Sequence, residues 1–104
     1  MDEIVLVLTT VPDGFDVDAL ARDLVETRLA ACVSVLAPQV STYRWQGAVE
    51  TATERQLVVK TVSGSVPAVR AALAARHPYE VPEFLVLRAD ADDAYGQWIR
   101  RSVG

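Results

Sequence analysis

Residues 4–26, IVLVLTTVPDGFDVDALARDLVE, change their period in mid-course, and that change decides the fold. Ile4 to Val11 is a run of apolar and β-branched residues, short for a helix and closed by the turn sequence Pro12-Asp13-Gly14, so it predicts a strand. Because the run does not alternate, both faces of that strand are expected to be buried. Asp16 is a suitable N-cap. After it, Val17, Leu20, Ala21, Leu24 and Val25 recur at helical spacing, while Asp18, Arg22, Asp23 and Glu26 fall on the other side. That spacing predicts an amphipathic helix ending near residues 28–30.

Ala31 to Leu36 returns to strand composition, Pro38 interrupts it, and Val40 to Trp45 resumes it, which predicts one long strand kinked or bulged at a sheet edge. Gln46-Gly47 is a turn signal, and from Ala48 the chain runs extended into Leu57-Val58-Val59-Lys60-Thr61, so the two strands form an extended antiparallel hairpin. Ser63 or Ser65 can cap a second helix, with Pro67 in its first turn and Val66, Val69, Ala72 and Leu73 on its apolar face. Pro78 removes the helical conformation from His77. Phe84 to Ala89 reads as a fourth strand, and Asp90 to Asp93 opens a C-terminal helix carrying Tyr95, Trp98 and Ile99. The order is βαββαβ plus a terminal helix. It predicts an α+β, ferredoxin-like sandwich in which two helices cover one face of a four-stranded antiparallel sheet. At 104 residues the chain is expected to form one domain, 1–104.

Composition narrows the function. Fourteen acidic residues against ten basic ones give a net charge of -4, and the arginines are scattered, so nucleic acid is not an expected partner. The 51% hydrophobic content contains no run of about 18 uncharged apolar residues, so no membrane span is expected. The acidic start MDEIVLVLTT lacks the basic region of a secretory signal, and the single Cys32 cannot form an internal disulfide. A cytoplasmic location is the resulting expectation. With the first strand and the end of the third apolar on both sides, a sheet covered on one face would leave a large apolar patch exposed. A closed homo-oligomer, its edges paired through the aromatic hairpin at residues 43–50, is expected to cover it.

The one histidine, His77, lies in RHPYEVPE (76–83) and has two readings: a metal ligand or general base, or a polar residue closing a helix C-terminus. Glu80 and Glu83 are near enough in sequence to add oxygen ligands. Cys32 reads as a buried thiol or a further helper, and without a C-x-x-C the chain has no thiol-pair chemistry of its own. One histidine, no G-x-S-x-G and no P-loop leave no hydrolase triad or nucleotide cradle, so an enzyme is not expected. Tyr43, Trp45, Tyr79 and Trp98 suit an inter-subunit cleft or interface.

The segments TTVPDG (9–14), RLAACVSV (28–35), YRWQG (43–47), LVVKT (57–61) and HPYEVPE (77–83), with Tyr95 and Trp98 as a terminal YxxW, occur in this order over nearly the whole chain. Together they resemble the CutA divalent-cation tolerance family. The resemblance implies a cytoplasmic homotrimer with hairpins packed on neighbouring subunits, an assembly similar to the PII signalling proteins, and no established reaction. It implies a role in tolerance of copper and other divalent cations, with none required as a cofactor. The copper-binding pattern of the family has a cysteine near the end of the first strand and two histidines before PY; those positions are Thr9, Arg76 and His77 here. Of that set His77 alone is kept, and a remaining site would draw on Glu80, Glu83, Cys32 or a neighbouring subunit. The rival reading is a PII-like trimer binding a small molecule in clefts lined by Tyr43, Trp45, His77 and Tyr79.

Overall fold

The computed structural model describes residues 2–104. Strand β1 (Ile4–Pro12) leads into helix α1 (Val17–Glu26), followed by β2 (Cys32–Val35), β3 (Gln39–Trp45) and the long β4 (Ala48–Val62). A 3-10 turn (Ser63–Ser65) precedes α2 (Val66–Ala74), after which come β5 (Leu85–Ala89) and α3 (Asp93–Ser102). The sheet order is β2-β4-β1-β5, with β3 also on β4, and every pairing is antiparallel. This is the ferredoxin-like arrangement expected.

The kinked strand resolves into β2 and β3, both paired with β4. Four steps from Val35 to Gln39 span only three on β4, from Leu57 to Glu54, so one extra residue bulges at Pro38's corner. Arg55 pins the bulge by donating from Nε to the Leu36 carbonyl at 3.0 Å. At the hairpin tip Gln46 (φ 49°) and Gly47 (φ 83°) both take left-handed conformations, the geometry of a two-residue turn whose twist suits the flanking strands. The expected serine cap of α2 is absent: Ser65 stands at the N-cap, but the preceding 3-10 turn leaves its side chain without a capping bond.

Alternation along β1 sorts the sheet into two faces. Val7 and Val11, with Leu57 and Val59 of β4, pack under Val17, Leu20 and Leu24 of α1 and Val69 and Leu73 of α2. On the other face, Leu6 stands beside Lys60 and Leu87, and Leu8 beside Val58 and Leu85. Leu85 is 53% exposed and Leu87 45%, so this face is open, as the two-sided apolar pattern required. Sequence reasoning did not foresee where α3 lies. It covers the Ile4 end of the open face, with Ile99 buried against Ile4, Ala31 and Val62, while Tyr95 and Trp98 remain exposed. Arg28 (φ 62°) fastens that helix: its Nε donates to the Gly104 oxygen at 2.7 Å and its Nη2 to the Arg101 carbonyl at 2.6 Å. A cation at the last turn of α3 is also favourable to the helix dipole.

Two threonines of the core face contrast usefully. Thr61 is buried and donates its hydroxyl to the Leu29 carbonyl at 2.7 Å, whereas Thr9, 0% exposed, has a hydroxyl with no partner among the described residues. Burying an unpaired hydroxyl costs about 1–3 kcal/mol. Thr9→Val is therefore expected to raise unfolding free energy by about 1 kcal/mol in a denaturant titration, and Thr61→Val to lower it; equal effects of the two would contradict the contrast.

Candidate functional site at the His77 turn

Helix α2 ends at Ala74, and the amides of Arg76 and His77 both reach back to the Leu73 carbonyl, at 3.1 and 2.9 Å. Pro78 then turns the chain away, and residues 77–84 run beside the end of β1 that β5 does not reach. The backbone oxygen of Thr10 is exposed to a partner there, and His77 supplies one.

The Nε2 of His77 lies 2.6 Å from the Thr10 carbonyl oxygen, and the Tyr79 amide donates to Nδ1 at 3.1 Å. An amide can only donate, so Nδ1 is the acceptor and Nε2 carries the proton. That fixes the neutral tautomer and occupies both nitrogens. The ring packs against Tyr79 at 4.9 Å. Tyr79 in turn donates its hydroxyl to Glu54 Oε2 at 2.9 Å, and Glu54 is only 8% exposed. Burial, the Glu54 hydrogen bond and the Glu54 charge push the Tyr79 hydroxyl up to about 12. Beside them Gln56 Nε2 donates to Glu83 Oε2 at 3.2 Å. The turn is thus tied to β4 at Glu54 and Gln56 and to β1 at Thr10.

The other sequence candidates fall apart in space. Glu80 is exposed with no hydrogen-bond partner among the described residues. Arg76 points to α1, where its Nη1 meets Asp23 Oδ2 at 3.3 Å. Cys32 pairs with Lys60, four residues along β4 from Gln56, which separates it from the turn by roughly 13 Å at the usual strand rise. Tyr43 lies close enough to Tyr79 to add to its raised pKa, Trp45 stands at the hairpin tip, and Trp98 sits on α3 beside Tyr95, ring centroids 5.4 Å apart. Among the described residues no group of three or more His, Cys, Asp or Glu is placed to hold a metal ion. A copper or zinc site needs several converging soft or imidazole ligands, so within one chain the residues do not fit one. Sequence reasoning missed Glu54, Gln56 and Thr10; the available signal was the period-2 spacing of Glu54 and Gln56 on a strand, which puts both on one face.

These features define a class: a small ferredoxin-like domain with one open apolar sheet face, a protruding hairpin and a histidine-anchored turn at the sheet's end. The family model for CutA1 divalent ion tolerance protein matches residues 5–102. The chain belongs to that family. It is 41% identical to the divalent-cation tolerance protein CutA of Thermus thermophilus over the full length of both chains. The crystal structure of CutA from Xylella fastidiosa superposes with a TM-score of 0.91 at 40% identity, covering 98% of this chain and 99% of that one. A CutA from Archaeoglobus fulgidus, described as periplasmic, superposes with a TM-score of 0.91 at 30% identity, covering 97% and 99%.

Proposed function

We propose that the chain serves in divalent-cation tolerance as a non-enzymatic homotrimer. The observation that carries the reading is the family match across residues 5–102, and the relatives' descriptions favour cation tolerance over small-molecule signalling at inter-subunit clefts. The open sheet face supports self-association, since Leu85 and Leu87 would otherwise face water beside Leu6, Leu8 and Val58. A strain lacking the gene is expected to stop growing at copper concentrations its parent tolerates, and a plasmid copy to restore growth. Equal growth of the two strains would contradict the role.

In this reading His77 positions the turn, and tolerance does not depend on a tight copper site at Thr9, Arg76 and His77. Thr9 is sealed in the core, Arg76 brings a positive charge, and both His77 nitrogens are engaged. Calorimetric titration with copper and zinc is expected to give the same weak heats for the native protein and His77→Ala. A saturable heat lost in the variant would make His77 a ligand after all.

The lone Cys32 leaves the fold independent of an oxidising compartment, and we place the protein in the cytoplasm. Fractionation of cells carrying a tagged chain tests this; recovery in an extracytoplasmic fraction, as the description of the Archaeoglobus protein suggests for that relative, would overturn it.

A further inference from the structure

Residues 78–83 lie between the end of α2 and the start of β5 and belong to no helix or strand. Among the described residues, none of their amides or carbonyls bonds another backbone group within the chain. The two ends of the stretch, by contrast, are fixed. On one side the His77 amide still bonds the Leu73 carbonyl of α2, and the ring holds the Thr10 carbonyl through Nε2. On the other, Phe84 packs on the core beneath the Arg70 guanidinium, whose carbon lies 4.3 Å from the centre of the ring. A stretch pinned at both ends, with no backbone ladder between them, can open locally without disturbing the elements that flank it.

Two side-chain hydrogen bonds hold the stretch down between those ends, and both reach β4. Tyr79 donates its hydroxyl to Glu54 Oε2 at 2.9 Å, and Gln56 Nε2 donates to Glu83 Oε2 at 3.2 Å. The first is the stronger, since its acceptor is a carboxylate largely sealed from water. The second is at the long end of the range for an N–H donor. Apolar burial adds little to them: within the chain none of residues 78–83 is buried, and Val81 is 67% exposed. Opening therefore gives up these two bonds while Val7, Leu57 and Leu73 stay packed. Every contact named here is made inside one chain, so each persists whatever surface neighbouring copies cover.

We propose that residues 78–83 form a strap that opens as a unit between pivots at His77 and Phe84 while the sheet and helices stay folded, with the bond from Tyr79 to Glu54 as its latch. Opening brings the sealed Glu54 carboxylate to water. The test is limited proteolysis of the protein, in the assembly it adopts in solution, by a glutamate-specific endoprotease, with cleavage between Glu80 and Val81 followed by peptide mass. A protease needs several residues free of the fold, so the rate of cutting reports the population of the open strap. That rate is expected to be nearly independent of urea below the unfolding transition, because local opening exposes little surface. Tyr79→Phe is expected to raise it by roughly tenfold or more, the loss typical of a hydrogen bond to a charged group, and Gln56→Ala to raise it by less. Thr61→Val, which weakens the fold toward the other end of β4, should leave it unchanged. Equal acceleration by Thr61→Val, or a rate that climbs steeply with urea, would make cleavage a consequence of global unfolding. No acceleration by either strap substitution would remove the latch, and cleavage confined to dissociated chains would place the restraint in a neighbouring copy. Each of these results would overturn the proposal. Should Tyr79→Phe lose its native circular dichroism, the comparison of Gln56→Ala with Thr61→Val decides alone.

Discussion

A chain carrying Leu85→Glu and Leu87→Glu is expected to sediment as a monomer at micromolar concentration, and the native chain as a closed oligomer. Both leucines lie on β5 and face away from the helix layer, in register with Leu8 and Leu6. Burying each against a second copy would contribute about 1.5–3 kcal/mol, so removing the pair subtracts roughly 3–6 kcal/mol per interface before any cost of burying a carboxylate. That corresponds to a loss of at least about a hundredfold in association. Neither leucine belongs to the chain's own core, which is built around Val7, Leu57 and Val59 on the opposite face and around Ile4, Ala31, Val62 and Ile99 under α3. Far-UV circular dichroism should therefore stay native. Val25→Glu, at an exposed position on α1, is the control and should leave the mass of the assembly unchanged. Dissociation by both substitutions, or by neither, would remove the open face from the account.

Tyr79→Phe is expected to cost about 1–3 kcal/mol at neutral pH, because it leaves the Glu54 carboxylate, 8% exposed, without its 2.9 Å donor. The effect also has a signature in pH. The folded protein holds the Tyr79 proton up to about 12, chiefly through burial and then through the Glu54 hydrogen bond, against 10.0 for an unperturbed tyrosine. Between those two values the unfolded chain has lost the proton and the folded chain keeps it. Ionisation in the unfolded state then favours unfolding, so the stabilising contribution, complete below about pH 10, is lost as pH rises to about 12. Denaturant midpoints measured across that window should fall more steeply for the native protein than for Tyr79→Phe. Parallel curves would mean that the hydroxyl of Tyr79 is not held by Glu54.

Much of the fold was legible because its signals are local. The period change after Pro12 marked β1 and α1, Gln46-Gly47 marked the hairpin tip, and Pro78 marked the end of α2. The non-alternating β1 even foretold a second face in need of cover. Less legible was everything set by register. Pro38 announced a kink or bulge, but that the bulge is one residue, with β2 and β3 both on β4, depends on pairing with residues 54–57. The position of α3 on the open face follows from Ile99 meeting Ile4 and Val62 and from Arg28 grasping the Arg101 and Gly104 carbonyls, contacts between residues far apart in the sequence. His77 illustrates the same limit at the candidate site. Its place after a helix could be read from Pro78, but the engagement of both its nitrogens depends on Thr10 and Tyr79 meeting there. The partners of Tyr79 and Glu83, Glu54 and Gln56, lie on a strand that sequence reasoning treated only as a hairpin arm.

Native mass spectrometry of the purified chain at micromolar concentration tests the central claim most directly, since the open face, the protruding hairpin and the family membership all bear on whether copies cover one another. The account predicts a dominant species at three times the one-chain mass of 11.3 kDa. A dominant species at 11.3 kDa itself would contradict it.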